Sequence, residues 1–95
     1  DVCARYGGEE FAVILRDDDT SRILILAERI RSTVYAYPFK HDGIRSQLSV
    51  SIGVACFPKD ADNAAGLIKR ADEALYMAKE TGRNKVCCYK PAQPD

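Results

Sequence analysis

Arg5-Tyr6-Gly7-Gly8-Glu9-Glu10-Phe11 is the stretch from which the fold is read. Val2, Ala4 and Tyr6 put apolar side chains on one face of a short strand that runs into two glycines. Two carboxylates follow, then the apolar run Phe11 to Leu15. The pattern predicts a β-hairpin over Asp1–Leu15 with Gly7-Gly8 at its tip and paired acids on the returning strand. Neighbours on a strand face opposite ways, so strand geometry alone does not turn Glu9 and Glu10 into one pocket. An ordinary acidic turn and a site for a hard cation are both compatible with these residue types.

Downstream, Arg16 to Ser21 is a polar connection, with Asp19, Thr20 or Ser21 able to cap a helix. Ile23, Leu26, Ala27, Ile30 and Val34 share one helical face, which predicts a helix over 22–35, ended by Pro38. Lys40 to Ser46 is a polar turn containing Asp42-Gly43. Between Gln47 and Phe57, the large residues Leu48, Val50, Ile52 and Val54 alternate with Ser49, Ser51, Gly53 and Ala55. The large set should meet a helical layer, and the small set leaves room for a close backbone or a ligand. A second helix is expected over 64–80, capped by Asp62 or Asn63, with Leu67, Ile68, Ala71, Ala74, Leu75 and Ala78 buried and Gly82 as its stop. Tyr76 and Met77 are expected to pack. A last strand covers Lys85–Tyr89, and residues 91–95 form a tail.

The expected order is therefore β-β-α-β-α-β, an α+β sandwich with helices on one face of a mainly antiparallel sheet. A ferredoxin-like sheet opens with a strand and helix before its central hairpin. That unit is missing here, so the topology reads as truncated. The abrupt start at Asp1, directly into a strand, is expected of a chain cut from something longer.

Composition narrows the function classes. The 95 residues carry 14 basic and 14 acidic side chains and no net charge, the balance of one small domain and not of a nucleic-acid binder. No apolar run is long enough to span a bilayer, and no secretory signal opens the chain. Cys3, Cys56, Cys87 and Cys88 have no metal-knuckle spacing, and His41 is the single histidine. All four cysteines read as free thiols in a reducing compartment, the cytoplasm.

Few residues remain as candidates for chemistry. Glu9 suits Mg²⁺, which takes a few protein oxygens plus substrate phosphate, though one carboxylate is a weak anchor. Glu10 either positions a substrate hydroxyl or holds a basic residue. Lys79 and Arg83, four apart at the end of the second helix, can face one side and meet a polyphosphate. They can equally be cations favoured by the helix C-terminus. Asp72 reads as structural, paired with Lys69 or with a base on a neighbouring element. Gly7-Gly8 is not a P-loop, since no Gly-Lys-Ser/Thr follows.

The hairpin stretch resembles the signature of the GGDEF domain, the diguanylate cyclase family, in its GGEEF form. Ser51-Ile52-Gly53-Val54-Ala55 matches the family's SIGVA strand, and Ala71 to Lys79 matches its ADxALYxAK helix. Gly82-Arg83-Asn84-Lys85-Val86 matches its GRNxV ending. The resemblance covers the chain apart from its tail and implies a nucleotidyl-cyclase palm fold, with residues 1–90 as its C-terminal portion. It implies condensation of two GTP into cyclic di-GMP and two pyrophosphates by a two-fold homodimer, with Mg²⁺ or Mn²⁺. It assigns Glu9 to the metal and the attacking hydroxyl, and Glu10 to the metal and substrate region. Gly7 and Gly8 would lie along the nucleotide, and Lys79 and Arg83 on its phosphates. Asp1 falls on the Asp of an R-x-x-D product-inhibition motif, which Arg29 can join from the following helix.

The family's first half, with a further metal Asp and the guanine-reading residues, has no counterpart here. The resemblance places its missing strand between the Phe11–Leu15 and Ser49–Ala55 strands. This predicts an inactive fragment with exposed edges that self-associates, exchanges strands or rearranges its sheet. An upstream sensory or regulatory domain is implied for the parent. Two other readings are a silent relative that binds GTP or cyclic di-GMP and signals by contact, and a nucleotide-independent dimerisation module.

Overall fold

The computed structural model describes residues 2–5, 9–16, 18 and 20–90. The hairpin strands are β1 (Val2–Arg5) and β2 (Glu10–Arg16), antiparallel with Arg5 opposite Phe11. Helix α1 (Thr20–Ala36) follows, then the short strands β3 (Phe39–His41) and β4 (Ile44–Ser46). The chain continues through β5 (Ser51–Phe57), α2 (Ala64–Glu80) and β6 (Val86–Cys88). One sheet has the order β1-β2-β5-β6, and β3 and β4 pair as a separate ribbon. This is a mixed α+β fold. The ribbon adds two strands to the expected order, around Asp42 and Gly43, both at positive φ (52° and 78°), as a two-residue hairpin turn requires.

Two expectations about the sheet are corrected. The sheet is not mainly antiparallel: β2–β5 and β5–β6 are both parallel pairs. Each is joined through a helix, which returns the chain to the end where it began. Nor do the helices share one face. Alternation along β2 sends Phe11, Val13 and Leu15 towards α1, where Ile23, Leu24, Ala27 and Val34 pack with Val50, Ile52 and Val54. Ala12 and Ile14 face the other way, with Ala55 and with Leu67 and Ala71 of α2. Strand β5 is therefore covered on both faces and is buried from Ser51 to Cys56.

The strands expected to flank a gap instead pair with each other, from Glu10 opposite Ser51 to Arg16 opposite Phe57. The gap expected between them is closed by this direct pairing. Neither β2 nor β5 is an edge.

Helix α2 forms over the expected residues. Asn63 caps it, its Oδ1 accepting from the Gly66 N–H at 2.8 Å. Leu67, Ala71, Ala74, Leu75 and Ala78 are buried. Ile68, Tyr76 and Met77 are exposed, contrary to expectation, because the sheet meets only the small-residue side of the helix. That side sits unusually close: a Cβ on Gly53 would stand 2.2 Å from the Leu75 nitrogen and 2.4 Å from the Ala71 oxygen. The small residue in SIGVA thus admits a helix backbone.

Helix α1 is seated less fully. Leu26 and Ile30, on its apolar stripe, remain about half exposed (47% and 50%) beside an apolar groove of about 400 Å³ floored by Phe11, Val13 and Ile52. Cys87 and Cys88 are free thiols among the described residues, and Cys88 packs with Cys56 in the α1-side core. Cys3 has no described side chain. Among the described residues no helix is long and apolar enough to cross a membrane.

Candidate functional site

The N-terminal end of β2 and the C-terminal end of α2 meet at one edge of the molecule. Pairing of β2 with β5, together with the close seat of α2 on Gly53, fixes their separation. The Lys79 Nζ donates to Glu10 Oε1 at 3.2 Å, and Arg83 Nη1 stands 3.9 Å from Glu10 Oε2. The two cations thus approach opposite oxygens of one carboxylate, across 69 residues of chain for Lys79. Glu10 and Lys79 are each about one-third exposed or less, whereas Arg83 is 57% exposed. Glu10 is thus paired with basic residues in this structure.

Glu9 lies in the turn just before β2 and is exposed. Its carbonyl accepts from the Ser51 N–H at 2.9 Å, which ties the hairpin tip to β5. No group of three His, Cys, Asp or Glu side chains able to hold a metal exists among the described residues. Glu9 offers one open carboxylate, and Glu10 is covered by two cations. That donor set does not make a magnesium site by itself, even allowing for an ion that retains waters and takes substrate phosphate.

Arg83 does not continue the helix. Thr81 caps α2, and Gly82, Arg83 and Asn84 all take positive φ (119°, 62° and 51°). The Arg83 N–H donates back to the Ala78 carbonyl at 2.8 Å, and Lys85 Nζ donates to the Thr81 carbonyl. The Asn84 N–H donates to the Ser51 hydroxyl at 3.1 Å, and its Oδ1 accepts from Arg31 Nη1 at 2.8 Å. Arg31 is gripped in turn by Glu28, at 2.7 and 2.9 Å from its Nε. These hydrogen bonds are the largest cause that lowers Glu28 below its ordinary value and raises Arg31.

Nothing in the sequence marks Ser51, Asn84 or Arg31 as a site residue by its chemistry. Only the GRN match pointed at Asn84, and nothing local marks Arg31 as anything but a solvent-side base.

The family model described as "Diguanylate cyclase, GGDEF domain" matches residues 1–85. The chain belongs to the GGDEF domain family. Diguanylate cyclase A of Treponema denticola is 42% identical over 94 residues, covering 99% of this chain and 25% of that protein. The response regulator PleD of Caulobacter vibrioides is 44% identical over 88 residues, 90% of this chain and 19% of that protein. The probable diguanylate cyclase DgcT of Escherichia coli is 46% identical over 95 residues, 90% of this chain and 20% of that protein. The chain thus spans a quarter or less of the length of these curated GGDEF relatives.

The remaining GGDEF positions are spread out. Gly7, Gly8 and Asp1 lie outside the described residues. Arg29 is exposed on α1, two residues before Arg31. Asp72 forms neither expected pair among the described residues. Its Oδ1 is buried without a hydrogen-bond partner, beside the groove between α2 and β6. The helical spacing that suggested Lys69 brings the two onto one side of α2, but Lys69 is turned to solvent.

Proposed function

We propose that this chain is the phosphate-gripping part of a diguanylate cyclase, with residues 1–90 the C-terminal portion of the GGDEF domain and residues 91–95 a tail. The parent protein condenses two GTP into cyclic di-GMP and two pyrophosphates. Each subunit of a two-fold pair presents one GTP, and each 3′-hydroxyl attacks the other nucleotide's α-phosphorus as pyrophosphate leaves. Lys79 and Arg83 hold the triphosphate, Gly7 and Gly8 lie along the nucleotide, and Glu9 would supply one oxygen to the Mg²⁺ or Mn²⁺ that accompanies it, the other protein oxygens coming from outside this chain. Glu10 holds the two cations in place until phosphate oxygens replace it. Positioning and charge compensation of this kind carry most of phosphoryl transfer.

The observation that supports this reading is the convergence of Lys79 and Arg83 on Glu10 at the signature hairpin. The hairpin and the end of α2, 69 residues apart, are brought together with two cations on one carboxylate. A nucleotide-independent dimerisation module would not need that convergence.

The alternative reading, a silent relative, turns on metal and guanine-reading residues in the part of the family that this chain does not cover. On either reading, the 95-residue chain alone makes no cyclic di-GMP. A regulatory domain upstream governs the parent, and Asp1 with Arg29 belongs to a product-inhibition site. Copies of the isolated chain self-associate through the open α1 groove, since β2 and β5 pair with each other and leave no edge between them.

The test is incubation of the chain and of its longer parent with GTP and Mg²⁺, followed by assay of pyrophosphate and cyclic di-GMP. The parent should turn over GTP and lose that activity on Glu9→Gln, while the chain alone stays silent. A parent that binds GTP without turnover would establish the silent reading. Cyclic di-GMP made by the chain alone would overturn the account of what it lacks.

A further inference from the structure

We propose that Arg31 is a positioning residue for Arg83. Acting through Asn84, it holds the left-handed turn after α2 in the conformation that sets the Arg83 guanidinium beside Glu10 and Lys79. The inference deepens the reading of Lys79 and Arg83 as triphosphate contacts and rests on it.

The turn needs a restraint. Arg83 and Asn84 both sit in the left-handed region, at φ of 62° and 51°. Asn tolerates that region, but an arginine there is uncommon and disfavoured by its Cβ. The turn's backbone holds at two points, Arg83 N–H to the Ala78 carbonyl and Asn84 N–H to the Ser51 hydroxyl. Its one described side-chain tether to α1 is Asn84 Oδ1, which accepts from Arg31 Nη1 at 2.8 Å, with a longer contact from the same nitrogen to the Asn84 carbonyl at 3.5 Å.

Arg31 is suited to be the fixed end. Its side chain is only 19% exposed, and Glu28 on the preceding helical turn holds both Nε and Nη2. A guanidinium held on one edge presents its other nitrogen in a defined direction. Lys79 depends on none of this. It stands on α2 itself, whose seat on the sheet is set by Ala71, Ala74, Leu75 and Ala78. Removing Arg31 should therefore cancel what Arg83 contributes and leave the contribution of Lys79 whole.

The experiment measures binding of inorganic tripolyphosphate to the 95-residue chain by calorimetry at low ionic strength, with urea midpoints confirming that each variant is folded. Arg83→Ala should weaken binding about fivefold, as suits an exposed charge contact. Arg31→Ala should weaken it to the same degree. In the Arg31→Ala background, Arg83→Ala should add nothing, while Lys79→Ala keeps its full effect. Arg31→Lys, which retains one donor, should recover part of the loss. Asn84→Gly keeps the left-handed turn without strain but removes the acceptor, and it should behave as Arg31→Ala does. It carries the test if Arg31→Ala does not fold.

The positioning role is overturned if Arg83→Ala weakens binding and Arg31→Ala does not, or if the Arg83 effect survives intact without Arg31. If the unmodified chain ignores tripolyphosphate, or Lys79→Ala and Arg83→Ala both bind it normally, the phosphate reading itself falls and the positioning role falls with it.

Discussion

Gly53 and Leu75 are in backbone contact: a single Cβ on the glycine would lie 2.2 Å from the Leu75 nitrogen. No real Cβ tolerates that distance, and the obstacle is a helix backbone and not a movable side chain. Gly53→Ala should therefore push α2 off the sheet and cost about 3 kcal/mol, the upper range for an overpacked core. Urea denaturation reads this directly, and Lys79 should leave Glu10 in the same variant. A neutral Gly53→Ala would mean that α2 is not seated as described.

Ser51 is 3% exposed, and its hydroxyl accepts from the Asn84 N–H. Ser51→Ala keeps the strand but strands that donor. A loss of about 1–2 kcal/mol is expected, the cost of an unmet buried hydrogen bond. Hydrogen exchange at the Asn84 amide should quicken while the amides of α2 hold their protection.

Acid should loosen the Glu28–Arg31 clamp. Hydrogen bonds from Arg31 hold Glu28 below its ordinary value. A carboxylate lowered on folding contributes stability in full above its unfolded value, about 4.3. That contribution is lost as pH falls through the lower folded value. Because Glu28 is 53% exposed, the effect on global stability is small. A carbon-detected NMR titration of Glu28 should show the depressed midpoint, and Arg31→Ala should return it to the ordinary range.

Cys88 gives the opposite edge. Burial is the first cause that raises its thiol above the ordinary value. A thiol raised on folding contributes fully below its unfolded value, about 8.5, and loses that contribution as pH rises through the folded one. At pH 8, Cys88 should react with a disulfide reagent more slowly than an exposed cysteine does. Urea should abolish the difference.

The half-exposed Leu26 and Ile30 border an apolar groove of about 400 Å³. A hydrophobic dye should bind the folded chain there, and Leu26→Ser with Ile30→Ser should cut the signal severalfold without unfolding the chain.

Helix α2 was legible because its apolar residues keep one period from Leu67 to Ala78 and its ends carry Asn63 and Gly82. The alternation in β5 was legible for the same reason. Periodicity names a face but not its occupant, so Leu26 and Ile30 read as core although they stay about half exposed. The parallel β2–β5 pair is a tertiary choice that neither strand's own pattern encodes. Asp42-Gly43 did carry a hairpin signal, but three-residue flanks gave it no alternation to confirm. In the site, Lys79 and Arg83 could be named from their spacing, yet their meeting with Glu10 could not. The Arg31–Asn84 contact, 53 residues apart, had no local signature of any kind.

The Asp42–Gly43 turn has a consequence for engineering. It is exposed, a Cβ on Gly43 would touch nothing within 4 Å, and its two strands belong to their own ribbon. Glu9, Glu10 and Arg31 precede it, whereas Ser51, Lys79, Arg83 and Asn84 follow it. A cut at this loop would divide the chain into two pieces, neither of which owns the site. Their reassembly would be the event that creates it, so the molecule can serve as a split reporter whose signal is the restored meeting of Glu10 with Lys79.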